Sequence, residues 1–344
     1  MKVWFPLTRG DSGSDVFTTR LASALRERGI EAELGWFPGR LEAFPYPLRG
    51  VAPPAGTNIV HANSWNGFAF HRTSLPLVVT CHLDIHSEVF RPYRSLGQSL
   101  YHDFVVSRYE RNSFRAASAI TAVSASTKNA IENAYSLPRS SVRHIPTWVD
   151  ATRFIPPPTA SASWPAERPF RLLFVGNPTA RKGADMLGPI MRGLGDGFEL
   201  HYTSGLRDNV LGRVASNMKP IGRIADSARL VDMYHSCDAL LFPSRLEGFS
   251  LVVLEAMACS VPVIAAAIPS VLEAIENHVT GFLCPPNDIG AFISVCRQLR
   301  DAPALRQMIG TAARRRVVEA FSEERIVSKY VALYEELLGS GYRA

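Results

Sequence analysis

The amino-acid sequence predicts an α/β protein made of two doubly wound, Rossmann-like parallel-sheet domains. Three observations carry that prediction. Short apolar runs alternate with helical periodicity along the chain, the grammar of repeated βαβ units. The pattern breaks once, at 153–169, where RFIPPPTASASWPAERP holds five prolines and no periodicity, and then it restarts. The length of 344 residues, at about 150 residues per domain, sets two domains as the starting expectation.

In the first half, strands are expected at 3–7, 58–62, 77–81, 120–123 and 142–145. Each run is brief, apolar and largely unalternated, as parallel strands covered on both faces should be. Residues 15–28 read as the first crossover helix, with Val16, Leu21 and Leu25 on its inward face and Gly29 ending it. Beyond the proline-rich seam, strands are expected at 171–175, 198–203, 239–242, 261–266 and 281–284, with the plainest helices at 228–236 and 250–258. A last helix carries Val327, Tyr330, Val331, Tyr334 and Leu338 as an apolar stripe, and by itself reads as a cap on the second domain. Two such domains side by side leave a crevice at the carboxyl ends of their strands, the usual ligand position in these sheets.

Composition narrows the class. With 47% apolar and 20% charged residues the chain reads as a globular protein with a full core. A formal charge of +6 suits anionic partners such as phosphates, nucleotides or an acidic membrane surface. There is no lysine-rich run and no zinc-finger spacing, so nucleic acid is not an expected partner. Cys81, Cys237, Cys259, Cys284 and Cys296 are scattered and form no C-x-x-C pair, which argues for a reducing compartment and against structural zinc. The apolar run in MKVWFPLTRGDSGS is too short for a signal peptide. The most apolar stretch, 251–272, is interrupted by Glu255, Pro262 and Pro269 and lacks the ~20 apolar residues of a span. The expected location is cytoplasmic, with peripheral membrane contact left open.

Three motifs carry chemistry. Gly10-Asp-Ser-Gly13-Ser follows the first strand, where small residues let backbone N–H groups approach an anion. A βα turn needs small residues in any case, and G-x-G-x-x-G is absent. Gly193-Leu-Gly195 follows a helix and reads as a turn. Phe174-Val-Gly-Asn-Pro-Thr-Ala-Arg181-Lys182-Gly183 runs from a strand into two adjacent cations. Fork and point charge together suit a diphosphate, although a solvated basic turn would look the same. In Glu247-Gly-Phe-Ser250-Leu251-Val-Val-Leu-Glu255-Ala-Met-Ala258, Ser250 is placed to cap a helix on which Glu255 is the lone charge. A buried carboxylate needs donors: sugar hydroxyls would serve, as would a neighbouring arginine or backbone amide. Glu247 lies one loop away.

Taken in order, these residues resemble the glycosyltransferase group 1 family, the retaining family-4 enzymes of GT-B fold. The likeness rests on Gly222-Arg-Ile224, Leu241-Phe-Pro-Ser-Arg-Leu-Glu247-Gly-Phe-Ser-Leu, Glu255-Ala-Met-Ala, Val261-Pro-Val-Ile and Thr280-Gly-Phe-Leu. Its E-x7-E pattern is matched by Glu247 and Glu255. Weaker matches extend it over the whole chain: Gly13, Val60-His-Ala, Thr80-Cys-His82, Ala122-Val-Ser, Val149-Asp150 and Lys182-Gly. The resemblance implies an acceptor-side domain over 1–155, a nucleotide-sugar domain over 156–320, and a terminal helix over 321–344 that crosses back to the first. It implies that Lys182 and Arg181 hold the donor diphosphate, together with Gly13 in the first loop and the Ser250 and Leu251 amides. Glu255 would bind the ribose, Ile224 the base through backbone groups, and Glu247 the transferred sugar. His82 would serve the reaction centre. The donor would be a UDP- or GDP-sugar, the acceptor a glycan, lipid-linked or small molecule in polysaccharide or glycoconjugate synthesis, and no cofactor or metal would be needed.

This sequence departs from the family pattern in four places. Asn177 stands where the family has arginine, and Ser260-Val261 replaces a glycine. Ala267-Ile268-Pro269-Ser270 replaces Gly-Gly-Pro-Glu, and Thr147-Trp148 replaces Asn-Gly. These motivate an alternative, a non-catalytic sugar-nucleotide-binding scaffold; a GT-B epimerase or phosphorylase is another. His82, Asp84 and His86 form H-x-D-x-H, but no fourth ligand is evident and no metal is expected. His61 reads as a satisfied strand-end histidine. Residues 91–115 carry five arginines against Asp103 and Glu110, interleaved with Leu100, Tyr101, Phe104, Val105 and Tyr109. That stretch reads as a surface helix packed on its own sheet, with attachment to an anionic membrane as the alternative.

Overall fold

A computed structural model of the chain describes residues 1–10, 12–88, 91–158, 168–204, 211, 214–224 and 226–339. Asp11 of the first loop and residues 159–167 of the proline-rich seam lie outside the described residues. The chain divides into two units, Met1–Thr147 with Glu323–Ala344, and Trp148–Ser322.

The first unit holds β1 (Lys2–Thr8), β2 (Glu31–Phe37), β3 (Ile59–Asn63), β4 (Leu77–Cys81), β5 (Ala119–Ala122) and β6 (Val142–His144). They form one parallel sheet in the order β2-β1-β3-β4-β5-β6. Every residue of β4 is buried, which is why four of its five residues are apolar and the fifth, Thr80, is hydrogen-bonded to His61 and Thr121. Helices α1 (Gly13–Glu27), α2 (Arg40–Ala43), α3 (Leu96–Leu100), α4 (Ser107–Ala116) and α5 (Ala125–Ala134) accompany the sheet. In α1 the buried face is Phe17, Thr18, Leu21, Ala22, Ala24 and Leu25; Val16, expected inside, is 43% exposed. Its place is taken by Phe17, one helical turn from Leu21 and filled by the larger ring. Gly29, at φ +76°, takes the left-handed turn that ends the helix.

The second unit holds β7 (Phe170–Phe174), β8 (Phe198–Tyr202), β9 (Met218–Pro220), β10 (Ala239–Phe242), β11 (Val263–Ala266) and β12 (Phe282–Cys284). They form a parallel sheet in the order β12-β11-β10-β7-β8-β9. Around it lie α6 (Ala184–Leu194), α7 (Ser227–Ser236), α8 (Leu251–Ala258), α9 (Pro269–Ala274), α10 (Ile289–Asp301) and α11 (Pro303–Ala320). Gly193, read as part of a turn, is inside α6; only Gly195, at φ +75°, ends that helix. The chain builds outward from β7 through β8 and β9, then reverses to lay β10 on the other side of β7. That reversal opens a crevice at the carboxyl ends of β7 and β10. In the first unit the reversal falls between β1 and β3.

The last helix, α12 (Glu323–Gly339), buries Ile326, Val327, Tyr330, Leu333, Tyr334 and Leu337, while Leu338 of the expected stripe is 38% exposed. Its reading as a cap on the second domain is corrected by its contacts. Tyr334 Oη is 2.6 Å from His61 Nδ1, the Tyr330 ring is 6.0 Å from Phe17, and Arg143 Nη1 is 2.7 Å from Glu336 Oε2. His61 is satisfied as expected, with Thr80 Oγ1 at 2.6 Å on its other nitrogen, but it lies inside β3 rather than at the strand's end.

Candidate active site

The loop after β7 and the loop after β10 meet at the crevice of the second unit. The first turns through Gly176, whose N–H donates to Thr203 Oγ1 at 2.8 Å while its carbonyl accepts from the same hydroxyl at 2.8 Å. It ends at Gly183, at φ +70°, where a Cβ would overlap the Pro243 carbonyl of the second loop. Only glycine allows that approach. Lys182 Nζ then reaches Glu247 Oε1 at 2.6 Å, and Arg181 Nη1 reaches Glu247 Oε2 at 3.4 Å. The ordering residues predicted from sequence are thus brought together: two cations from one loop, a carboxylate from the other.

Charge and burial define this cluster. The Lys182 and Glu247 side chains are 15% and 8% exposed. Burial alone would raise the Glu247 carboxyl, but Lys182, Arg181 and the Ser244 hydroxyl at 2.5 Å outweigh it and hold it below the usual range. Burial pushes the Lys182 ammonium down; Glu247 opposes that and Arg181 adds to it. Two cations face one carboxylate, so the cluster keeps a positive balance and attracts an anion.

Ser250 stands at the N-cap of α8, but its side chain makes no cap bond, contrary to the sequence reading. At φ −96° and ψ 109° its hydroxyl is buried, 6% exposed, without a hydrogen-bond partner among the described residues. A buried hydroxyl left unpaired costs about 1–3 kcal/mol, and this one is available to an incoming hydrogen-bond partner. The free N–H groups of Leu251 and the rest of the first turn add donors for a phosphate. Glu255, 3% exposed, accepts the Tyr234 hydroxyl at 3.2 Å, so a tyrosine of α7 supplies one of its donors. Ile224 lies in the loop between β9 and α7, after Gly222 at φ +72°.

Sequence reasoning missed the brace under these loops. Arg245, 5% exposed, donates to both oxygens of Asp185 at 2.6 and 2.7 Å, to Asn287 Oδ1 at 2.7 Å and to the Ala180 carbonyl. Its backbone N–H donates to the Arg181 carbonyl at 2.8 Å, and Ser244 Oγ donates to the same oxygen at 3.2 Å. Arg181 in turn donates to the Leu246 carbonyl at 2.9 Å. The positions of Arg181 and Lys182 are therefore set by the loop that carries Glu247.

The two remaining predicted residues belong to the first unit. His82 follows β4; its Nε2 is 3.1 Å from Asn63 Oδ1 and its ring meets Phe17 of α1 edge-on at 4.8 Å. Burial pushes the imidazole down to about 4, so it is neutral at pH 7. Gly13 opens α1, and a Cβ there would meet nothing within 4 Å, which leaves open space at that helix N-terminus. The H-x-D-x-H residues diverge. His86 Nε2 lies 2.9 Å from Tyr135 Oη, which donates to the buried Glu110 at 2.6 Å, and burial lifts that carboxyl to about 7. Among the described residues no three His, Cys, Asp or Glu side chains converge on a metal position. All five thiols are unpaired and buried, and burial pushes Cys259 and Cys284 up to about 12.

Comparison with known proteins bears on the family and the fold. Residues 213–316 match the family described as glycosyl transferases group 1, and residues 33–153 match Glycosyltransferase Family 4. The chain belongs to this family of glycosyltransferases, and its two units are those of a GT-B fold. It is 36% identical over 118 residues to N-acetyl-alpha-D-glucosaminyl L-malate synthase of Bacillus anthracis, covering 34% of this chain and 30% of that one. It is 31% identical over 229 residues to D-inositol 3-phosphate glycosyltransferase of Geodermatophilus obscurus, covering 58% and 49%. The match spans less than half the length of these curated relatives. Among solved structures, sucrose-phosphate synthase from Thermosynechococcus elongatus has a TM-score of 0.82 at 20% identity, covering 99% of this chain and 100% of that one. HepE of Anabaena, solved in complex with UDP-glucose, has a TM-score of 0.71 at 19% identity, covering 99% and 100%. Among the described residues no helix is long and apolar enough to cross a membrane.

Proposed function

We propose that this chain transfers a sugar from a nucleoside-diphosphate sugar to an acceptor hydroxyl, with retention at the anomeric carbon. The observation that carries the reading is the partly buried cation pair, Lys182 and Arg181, set against the buried Glu247 at the reversal point of the second sheet. In the reaction the anomeric carbon–oxygen bond to the diphosphate breaks and its electron pair stays on the phosphate oxygen. A new bond forms to the acceptor oxygen, whose proton passes to the departing diphosphate. The catalytic demand is stabilisation of the leaving group, and two preorganised cations with a helix N-terminus supply it.

Within this reading Ser250 and Leu251 hold phosphate, Glu255 the ribose, Ile224 the base, and Glu247 the transferred sugar. His82, neutral at working pH, hydrogen-bonds the reacting sugar, and Gly13 leaves room at the phosphates. UDP is the first base to test, because HepE, a whole-chain structural neighbour, was solved with UDP and with UDP-glucose. The setting proposed is cytoplasmic assembly of a polysaccharide or glycoconjugate. A thermal-shift screen of UDP, GDP, ADP, CMP and TDP with their common sugars, without added metal, tests the reading. One diphosphate raising the melting temperature, with the effect lost in Lys182→Ala, is the expected result. A shift with a nucleotide but no donor consumption across the same panel would move the chain to the scaffold class, and no shift with any nucleotide would contradict the diphosphate site.

A further inference from the structure

Glu110 is the acid of the 91–115 segment that the transfer reading leaves without a part. Helix α4 turns it inward with Tyr109, Ser113 and Phe114 against the first unit's own core, and the residue is 0% exposed. A carboxylate is almost never buried so completely unless it is paired or held by donors. Among the described residues no cation pairs with this one; hydroxyls hold it instead. Ser64 Oγ donates to Oε1 at 2.7 Å, Tyr135 Oη donates to Oε2 at 2.6 Å, and the Cys81 thiol stands 3.9 Å from Oε1.

Both hydroxyls lead to the loop that carries His82. Ser64 adjoins Asn63, the last residue of β3, whose Oδ1 takes the His82 Nε2–H at 3.1 Å and leaves Nδ1 an acceptor. Tyr135 Oη lies 2.9 Å from His86 Nε2 at the far end of that loop, where the His86 backbone N–H donates to Asp84 Oδ1 at 2.8 Å. Glu110 therefore anchors the 82–86 loop from two sides. When the carboxylate is ionised both of its oxygens accept, so Tyr135 gives its hydrogen to Glu110 and accepts one from His86 Nε2. When the acid is protonated one oxygen must donate. At the 2.6 Å contact that hydrogen goes to Tyr135 Oη, Tyr135 turns its own to His86 Nε2, and the His86 proton moves to Nδ1. The half-buried His86 ring lines a surface pocket with Ser87 and Arg94 and exchanges protons with solvent there, so the net change is one proton gained.

We propose that Glu110 is a positioning residue for the transfer reaction: ionised, it locks the loop that carries His82, and protonated, it reverses the Tyr135–His86 bond and loosens that hold. The proposal rests on the reading that His82 serves the reacting sugar. A glutamine would fill the same space and hold both partners in one arrangement; what a carboxyl adds is the second state. Its surroundings place the exchange near neutrality. Burial lifts the carboxyl to about 7, Asp84 adds to the rise, and the Tyr135, Ser64 and Trp65 side chains oppose it. The other groups that face it titrate on either side. Burial drives the Cys81 thiol and the Tyr135 phenol up, and it holds His86 below its usual value, with Asp84 and Asp103 opposing and Arg94 and Arg111 adding to the fall.

Long-range nitrogen NMR of the full chain labelled at histidine tests this from about pH 5.5 to 8.5, with His82→Gln and His86→Gln fixing the assignments. In wild type the neutral His86 ring should move its proton from Nε2 to Nδ1 as pH falls through about 7. Protonation would look different, since both nitrogens become donors. Glu110→Gln copies the protonated acid, so it should hold His86 in the acid arrangement at every pH, and Tyr135→Phe should abolish the response. In donor-consumption assays wild-type kcat should rise with pH through the same midpoint. Glu110→Gln should stay flat at the acid level, on the order of ten- to a hundredfold below the wild-type plateau, with donor KM little changed. No His86 exchange in wild type, or one that persists in Glu110→Gln or Tyr135→Phe, overturns the inference, as does a kcat rise that Glu110→Gln retains. Should Glu110→Gln fail to fold, wild type and Tyr135→Phe decide the same question. If wild type consumes no donor the transfer reading falls, and the NMR result still upholds or overturns Glu110 as the group that sets this loop.

Discussion

Replacing Lys182 by methionine removes a charge while keeping most of the side chain's volume, so its effects separate cleanly. Glu247 would be left 8% exposed with Arg181 at 3.4 Å and Ser244 at 2.5 Å. Removing one partner of a buried pair costs about 3–5 kcal/mol, and the two surviving partners set this case near the lower end, about 3 kcal/mol. Adding Glu247→Leu removes the stranded carboxylate, and apolar replacement of a whole buried pair is near neutral, so stability should return to within about 1 kcal/mol of wild type. Nucleotide affinity should not return. A charge-assisted phosphate contact is worth about 1.5–3 kcal/mol, roughly ten- to a hundredfold in Kd. Urea unfolding followed by circular dichroism gives the first quantity and calorimetric titration with UDP the second. If the double variant binds UDP as tightly as wild type, the pair is purely structural and the diphosphate lies elsewhere.

Arg245→Met should raise the donor KM several-fold and cost about 2–3 kcal/mol of stability, because Asp185, 44% exposed, resolvates without penalty. Arg245→Lys should fail to rescue it, since one ammonium cannot span Asp185, Asn287 and Ala180; rescue would show that only charge matters. Ser260 holds φ +57°, so the backbone keeps the left-handed turn where the family has glycine. Ser260→Gly should gain about 0.5–1 kcal/mol in urea unfolding, strain relief outweighing added chain entropy, and a loss would refute that. Burial depresses His61 to about 3 and His82 to about 4, whereas it lifts Glu110 to about 7. The histidines contribute stability that is whole above pH 6.5 and is lost as pH falls, while Glu110 gains stability between pH 7 and 4.5. The first unit should therefore lose at least about 1.4 kcal/mol per pH unit below 6.5, and Glu110→Gln should roughly double that slope. An unchanged slope in the variant would remove Glu110 from the account.

What the sequence makes legible follows from how each feature is encoded. β4 and β10 sit where their apolar runs lie because both faces are covered, so burial and sequence coincide. The edge strands β2 and β9 escaped notice. The first mixes glutamates with apolar residues on a half-exposed edge, and the second has three residues ending in proline. Lys182 and Glu247 are readable because rare charges stand in a loop and before an apolar helix. Arg245 and Asp185 lie sixty positions apart, and only the folded β7 and β10 loops bring them together. Ser250 was readable as a helix start, but whether its hydroxyl caps its own amides depends on backbone torsion, and ψ is 109° here against 158° at Ser95 and 157° at Ser124, whose hydroxyls do cap. The 91–115 segment showed its amphipathic character in sequence; which of its residues face inward emerged only once a π-helical stretch over Tyr101–Val106 fixed its phase.

The most direct test of the central claim is proton NMR of the full chain incubated with UDP-sugars of known anomeric configuration, read at early times before free sugar mutarotates. The account predicts release of UDP from one donor, with the first sugar product, transferred or slowly hydrolysed, keeping the donor's anomeric configuration, and loss of both signals in Lys182→Met. An inverted first product would contradict retention. Undiminished release by the Lys182 variant would contradict the site itself.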